Sequence, residues 1–160
     1  MKRMRSGGFT MVELLVVVAI IAILAGIAMA NYWNGIQRAR QKRTMADIRS
    51  IAMAWEARAS EIRGYNAAGF TVPAVEISAS DLDGLLTPTY TKSVTHIDAW
   101  GHLMKFALDQ PIGGVSASVY AVRSAGADGI FETSYTQGPT TSFDCDIVYS
   151  NGAFICFPSQ

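Results

Sequence analysis

The chain contains 160 residues, half of them hydrophobic, and its 13 basic and 13 acidic side chains give a formal net charge of zero. This length allows one globular domain and an appendage, and the balanced charge favours neither nucleic acid nor an acidic substrate as a partner. The sequence lacks a phosphate-binding loop, a serine nucleophile elbow, a zinc-protease helix and a dinucleotide fingerprint. His96 and His102 lie near a predicted turn without an evident cysteine or carboxylate constellation. We therefore expect a protein that is not an enzyme and does not bind nucleic acid.

Hydrophobic residues are concentrated in one run, FTMVELLVVVAIIAILAGIAMA, at positions 9–30. About 20 apolar residues suffice to cross a bilayer as a helix. Lys2, Arg3 and Arg5 precede the run, and by the positive-inside rule they favour a cytoplasmic N-terminus. A second basic cluster, at positions 38–49, follows the run and would lie on the far side, against that rule. The run predicts a single membrane span with the rest of the chain outside the cytoplasm.

Glu13 is the one charged residue in the run, and three interpretations compete to explain it. They are a secretory signal peptide cut at Ala28-Met29-Ala30, a plain signal anchor, and a signal cut on the cytoplasmic side ahead of the run. A carboxylate at the centre of a membrane helix costs about 2.5–3.5 kcal/mol, so the first two have no reason to keep one. The run also exceeds the usual signal-peptide core. Cleavage before Phe9 would create an α-amine at a depth that matches Glu13, which favours the third interpretation.

The residues around this junction carry a family resemblance. Gly8 is followed by the letters FTMVE, which end at Glu13. This pattern resembles the G-F-T-x-x-E signature of type IV pilins and type II secretion pseudopilins. The resemblance implies that a prepilin peptidase removes residues 1–8 by cutting after Gly8, and that the exposed amine of Phe9 is methylated. It also implies that Glu13 neutralises the N-terminal amine of a neighbouring subunit during assembly.

The second half of the predicted helix is amphipathic. No breaker interrupts positions 31–63, and apolar residues recur there at three- and four-residue spacing: Met45, Ile48, Ala52, Trp55, Ala59 and Ile62. We therefore expect one helix over positions 9–63, with its 9–30 half in the membrane and its 31–63 half packed on a head at 64–160. The resemblance implies an α+β, pilin-like fold in which the head is a small antiparallel sheet. The basic run at 38–43 is expected to be solvated or to pair with acidic groups of neighbouring subunits, rather than to bind nucleic acid or lipid headgroups.

Two segments of the head resemble the major pseudopilins of the type II secretion branch. The letters LLTPTYTK and then Asp98-Ala99-Trp100-Gly101 are similar to the L-x-P-x-Y-x-K and D-x-W-G segments of those proteins. Ala99 stands where that family usually has proline. We expect a turn whose indole is buried in the head, a short helix at 81–86, and strands at 103–108 and 115–124.

The segment SAGADG at positions 124–129 is close to the S-x-G-x-D-G motif of the same pseudopilins, which helps to bind one calcium ion in them. The resemblance implies a Ca²⁺ site made by Asp128, the Ala125 carbonyl, and Asp144 or Asp146. Calcium takes 6–8 oxygen ligands, and a glycine beside an aspartate lets carbonyl groups converge on it. However, the letters IFETSYTQGPTTS replace the family's glycine-rich connection. Asp128-Gly129 also fits an ordinary β-turn, so both interpretations stay open.

The two cysteines lie in the C-terminal segment CDIVYSNGAFICFP, which predicts a β-hairpin with SNG at its turn. If Val148 faces Ala153 across a four-residue loop, Cys145 falls opposite Cys156 and a cross-strand disulfide is geometrically feasible. Such a bridge fits an exported protein. Two free buried thiols are the alternative.

The resemblance implies a structural subunit that waits in the inner membrane with its head in the periplasm and then polymerises with copies of itself. Its other expected partners are the prepilin peptidase, an inner-membrane platform protein, an assembly ATPase and minor pseudopilins. The head motifs favour a periplasmic pseudopilus that drives type II protein secretion. A surface type IV pilus for adhesion or motility is the alternative, and a membrane-anchored binding domain that never polymerises is a third.

Overall fold

The computed structural model describes residues 8–62, 75–108, 119–135 and 137–159. Within these ranges the chain forms two helices and six strands. They are α1 (Met11–Ile62), β1 (Val75–Ile77), α2 (Ala79–Leu86), β2 (Lys105–Leu108), β3 (Tyr120–Ser124), β4 (Gly138–Thr140), β5 (Ile147–Ser150) and β6 (Ala153–Pro158). This arrangement confirms the predicted α+β class, a long N-terminal helix followed by a mainly antiparallel sheet.

Helix α1 covers 52 residues without a break, in agreement with the single helix expected at positions 9–63. Arg63, the expected last residue, lies outside the described residues. The chain divides into two compact units, Met1–Ile36 and Gln37–Gln160, so α1 contributes to both. The boundaries expected at positions 8, 30 and 63 stay predictions.

The six strands form one sheet in the order β1-β2-β3-β5-β6-β4. All neighbours are antiparallel except β4 and β6, which run parallel. The strands expected at 103–108 and 115–124 are confirmed as β2 and β3, although the expected start of the second, 115–118, lies outside the described residues. Sequence reasoning missed β1 and β4, which are three residues long and carry too short a pattern to detect.

The core of the Gln37–Gln160 unit lies between the second half of α1, helix α2 and one face of the sheet. The stripe expected on α1 is buried at Ile48, Ala52, Trp55 and Ala59. It packs with residues of α2 and the sheet that include Leu82, Leu86, Phe106, Val122 and Ile147. Burying one large apolar side chain contributes about 1.5–3 kcal/mol. The stripe is therefore the main attachment of the head to the helix.

Helix α2 starts two residues earlier than expected because Ser78 caps it. The Ser78 Oγ accepts a hydrogen bond from the backbone N of Asp81 at 3.1 Å, and donates one to the Asp81 carboxylate at 2.6 Å. An N-cap side chain satisfies a backbone N–H that the first turn leaves free. Leu82 and Leu86 then fall four residues apart on the buried face.

Asp98 organises the turn that leads into β2. One carboxylate oxygen accepts hydrogen bonds from the backbone N of Trp100 and of His102, each at 2.9 Å, and the other accepts one from the Ser124 hydroxyl at 2.7 Å. The indole of Trp100 is half-buried against the core and donates to Gln37 at 2.6 Å. This agrees with the expected turn and anchors it to α1.

A hydrogen bond to α1 explains why alanine stands at position 99, where the family usually has proline. Its backbone N donates a hydrogen bond to the hydroxyl of Thr44, which is fully buried on α1, at 3.1 Å. Proline has no N–H and would leave that hydroxyl without this donor.

The C-terminal hairpin forms, but its expected register is wrong. Ser150 pairs with Ala153, so only Asn151 and Gly152 make the loop, and their φ values are +46° and +89°. A two-residue loop with both φ values positive is the type I′ turn that Asn-Gly favours. A bulge between residues 148 and 149 shifts the ladder further, so Val148 faces Cys156 rather than Ala153.

Candidate functional site

The predicted cleavage junction lies just ahead of α1. Gly8 and Phe9 are exposed and non-helical, and the side chain of Phe9 is 80% accessible. The processing role of Gly8 and Phe9 stays a prediction, and residues 1–7 of the expected leader lie outside the described residues.

Glu13 lies in the first turn of α1 and makes a capping box with Thr10. Its Oε2 accepts hydrogen bonds from the backbone N of Thr10 at 2.9 Å and from the Thr10 hydroxyl at 2.8 Å. The Thr10 hydroxyl in turn accepts one from the backbone N of Glu13 at 3.3 Å. The carboxylate therefore lies at the helix N-terminus, where the helix dipole favours negative charge. Thr10 is the part of this arrangement that sequence reasoning missed, although the T-x-x-E spacing was available as a signal.

The first half of α1 is apolar on every side. Its large hydrophobic side chains are all exposed within the structure, among them Val12, Leu15, Ile20, Leu24 and Ile27. A helix that is hydrophobic all round requires lipid or other helices around it. Among the described residues, α1 alone is long and apolar enough to cross a membrane.

Tyr32 and Trp33 end this apolar stretch, and both side chains are more than half exposed. Tryptophan and tyrosine are enriched where a membrane helix meets the headgroup layer, because their rings are apolar and their tips are polar. They are a second feature that the sequence analysis did not use.

The basic run that follows is nearly without acidic partners. Arg43 lies 3.9 Å from Asp47 on the same helix, and it is the one member of the run with an ion pair among the described residues. Arg38 and Lys42 line a shallow cavity of about 130 Å³ beside Phe157 and Pro158 at the end of β6. The cationic side chains are thus available to solvent or to another molecule.

The three aspartates expected to bind calcium, Asp128, Asp144 and Asp146, are not grouped so that they could hold a metal ion together. Asp128 Oδ1 accepts a hydrogen bond from the backbone N of Ile130 at 2.9 Å, as in an ordinary Asx turn. Ala125 is buried and Asp144 is exposed. No three His, Cys, Asp or Glu side chains among the described residues are grouped to hold a metal ion.

Asp146 is fully buried and is already paired with a cation. Its Oδ2 lies 3.2 Å from Nη2 of Arg123 and accepts a hydrogen bond from the backbone N of Glu132 at 3.2 Å. Burial raises the pKa of this carboxyl, and the hydrogen bond from Arg123 only partly offsets that effect. A guanidinium at this distance repels a second cation, so these residues do not fit a calcium site that includes Asp146.

Both cysteines are free thiols, in agreement with the alternative to the disulfide. The expected bridge required Val148 to face Ala153, and the two-residue turn prevents this. Cys156 is buried, and burial, with the nearby Cys145 as a lesser cause, raises the pKa of its thiol to about 11.

Comparison with known proteins places the N-terminal region in a class. Residues 3–29 match the prokaryotic N-terminal methylation motif, which is the signal of type IV pilins and pseudopilins. The chain is homologous to type IV pilins over its matched part. It is 47% identical over 49 residues to the type IV major fimbrial protein FimA of Dichelobacter nodosus, a stretch that covers 31% of each chain.

Two further relatives carry similar names. A probable minor fimbrial protein of Dichelobacter nodosus is 41% identical over 56 residues, which are 35% of this chain and 34% of that protein. The type IV major pilin protein PilA of Myxococcus xanthus (strain DK1622) is 37% identical over 62 residues, which are 39% of this chain and 28% of that protein. The matches thus span about a third of each curated relative. No solved structure matches the chain.

Proposed function

We propose that this chain is the structural subunit of a type IV-like filament, processed after Gly8 and assembled through α1. The observation that carries this proposal is a helix that is apolar on all sides yet holds one carboxylate, Glu13, in its first turn. Exposed apolar surface of this extent is buried in lipid before assembly and against other helices afterwards. The fimbrial and pilin names of the relatives support the same class.

In this mechanism Thr10 positions Glu13, and a neighbouring subunit then neutralises it. Before assembly its carboxylate is held by Thr10 within its own chain. In the filament, the methylated amine of Phe9 from a neighbouring subunit supplies a positive charge to the same carboxylate. In an apolar helix bundle an unpaired charge is unfavourable, whereas a close ion pair is favourable. The pairing therefore stabilises the one axial register of the helices in which the two charges meet.

The secretion pseudopilus is the branch that we propose first. It is supported by the turn at Asp98-Ala99-Trp100-Gly101, which resembles the D-x-W-G motif. In this turn Asp98 accepts a hydrogen bond from the backbone N of Trp100, and the Trp100 indole donates one to Gln37 of α1. The subunit would then work with a platform protein, an assembly ATPase and minor pseudopilins to push folded proteins out of the periplasm.

A surface pilus is the second candidate, and a specific observation favours it. The relatives named above are fimbrial or pilin proteins, and their names do not point to secretion. Deleting the gene separates the two: retention of folded exoproteins in the periplasm supports the pseudopilus, whereas loss of surface filaments with normal secretion supports the pilus.

Intact-mass spectrometry of the protein from its native membrane tests the common core of both. We expect a chain that begins at Phe9 and carries one added methyl group. A chain that begins at Asn31 would identify a secretory signal peptide and remove the assembly helix. An uncut chain would leave a membrane-anchored domain that does not assemble in this way. A normal filament yield from a Glu13→Val variant would mean that Glu13 does not direct assembly.

A further inference from the structure

Arg123 lies in strand β3, and its side chain contacts the segment that connects β3 to β5. Its Nη2 donates to the Asp146 carboxylate and to the backbone carbonyl of Glu132, each at 3.2 Å. The Arg123 side chain is only 14% exposed and that of Asp146 is fully buried. One guanidinium therefore joins strand β3, the start of β5 and the intervening loop.

The same guanidinium lies between two aromatic rings of that loop. Its central carbon is 5.1 Å from the ring centroid of Phe131 and 4.8 Å from that of Tyr135. Lys105 of β2 adds a second cation 4.9 Å from the Phe131 ring. Cation–π contacts are stronger when the cation is desolvated, as the largely buried guanidinium of Arg123 is. Residues 131–135 have no helix or strand of their own, and these contacts connect them to strands β2 and β3.

The guanidinium beside Asp146 disfavours a divalent ion at the same carboxylate. Asp146 Oδ2 already accepts hydrogen bonds from the Arg123 guanidinium and from the backbone N of Glu132. Its Oδ1 is buried and has no hydrogen-bond partner within the described residues. A calcium ion bound there would lie beside a fixed positive charge in a region of low dielectric, where like charges repel strongly.

We infer that Arg123 holds this segment in place of the calcium ion that the resemblance implies for the head, so that the head folds and stays ordered without a divalent cation. The positive charge is covalently part of β3. Phe131 and Tyr135 supply the rings that contact it, and Glu132 supplies the carbonyl. All three lie where the chain departs from the family's glycine-rich connection.

The first test uses the full chain in detergent and follows thermal unfolding by near-ultraviolet circular dichroism. A ligand that binds the folded state raises the melting temperature, and its removal lowers it. We expect the same Tm in EDTA and in millimolar calcium chloride. A Tm that falls in EDTA and recovers with calcium, but not with magnesium, would overturn the inference without affecting the proposed filament role.

The second test removes the guanidinium. Arg123→Gln leaves a buried carboxylate without its cation and should lower Tm by roughly 10 °C or more. Arg43→Gln, which removes an arginine whose side chain is 77% exposed, is the matched control and should change Tm little. Equal effects of the two changes would overturn the inference.

The pairing itself is tested by a double change. Asp146→Asn should recover part of the loss when it is added to Arg123→Gln, because it neutralises the orphaned carboxylate. Addition of the two separate losses would show that Arg123 does not act through Asp146. Should Arg123→Gln fail to fold, the EDTA measurement on the unaltered chain still decides the question.

Discussion

Thr10 and Glu13 satisfy each other at the start of α1. The Glu13 carboxylate accepts two hydrogen bonds from Thr10, at 2.9 Å from the backbone N and at 2.8 Å from the hydroxyl, and Thr10 accepts one from the Glu13 backbone. The one charge in the apolar half of the helix is thus stabilised by two hydrogen-bond donors of its own chain. This arrangement fixes the position of the carboxylate, which the proposed role of Glu13 in assembly requires.

Replacing Thr10 should weaken assembly. Thr10→Val removes the hydroxyl donor and the helix cap while keeping the side-chain shape, and we expect about tenfold fewer filaments in the sheared fraction. Thr10→Ser keeps the hydroxyl and is the matched control. Intact mass should confirm that both variants are cut at Gly8. A normal filament yield from Thr10→Val would mean that the hydroxyl has no part in placing Glu13.

Gly126 should tolerate no side chain. Its φ is +70°, and an added Cβ would lie 2.7–2.9 Å from the carbonyl oxygens of Phe143, Asp144 and Cys145. Gly126→Ala therefore combines backbone strain with overlap and should destabilise the head by about 3 kcal/mol. Gly101→Ala is the control, since Gly101 has φ +97° with open space around it, and should cost only about 1 kcal/mol. Similar losses in chemical unfolding would show that the three carbonyls move aside.

Acidification should favour the folded state through Asp146. Burial raises the pKa of this carboxyl above its unfolded value of about 3.9. Between the two values the folded chain binds a proton that the unfolded chain does not, so lowering the pH adds to the free energy of unfolding. The Tm of the unaltered chain, measured against that of Asp146→Asn, should rise by a few degrees as pH falls from neutral towards about 4.

The control for this titration is Asp128→Asn, which neutralises an exposed carboxylate and keeps the acceptor for Ile130. A pH dependence of the same sign and size in the Asp128→Asn comparison would mean that the effect does not come from Asp146. A relative Tm that falls on acidification in the Asp146 comparison would place the folded pKa of Asp146 below the unfolded one, with Arg123 outweighing burial.

The two thiols should differ in reactivity. Cys156 is buried and its thiol has a pKa of about 11, so it is almost entirely protonated at neutral pH. Cys145 is half-buried and should be alkylated first in the folded protein, with Cys156 protected by at least about tenfold. Peptide mapping after iodoacetamide treatment measures this. Both should react in denaturant without a reducing agent, and failure of both would reveal a disulfide.

The fold class followed from sequence because long periodic patterns are hard to misinterpret. The unbroken run to position 62, and the stripe through Ile48, Ala52 and Trp55, predict a single helix with one buried face, as observed. Short elements were less accessible. Strands β1 and β4 each have three residues and form only because longer neighbours offer backbone donors and acceptors.

The hairpin shows that local sequence patterns locate a turn but do not predict the register of its strands. Asn151-Gly152 was located correctly as the turn, but the loop length was not, and one bulge was enough to place Cys156 opposite Val148. Pairing register depends on every hydrogen bond along both strands, so an error of two residues at the turn moves the facing side chains throughout the ladder.

The apolar run, the lone carboxylate at Glu13 and the methylation motif can be identified from the sequence alone, because each depends on residues adjacent along the chain. The contacts of residues 131–135 with Arg123 become visible only in the folded chain. Arg123 and Asp146 are 23 residues apart, and the sequence around each residue does not indicate that the other is its partner. Sheet pairing between β3 and β5 brings them together. A buried charge then requires an opposite charge at contact distance, and that partner is the guanidinium of the chain itself.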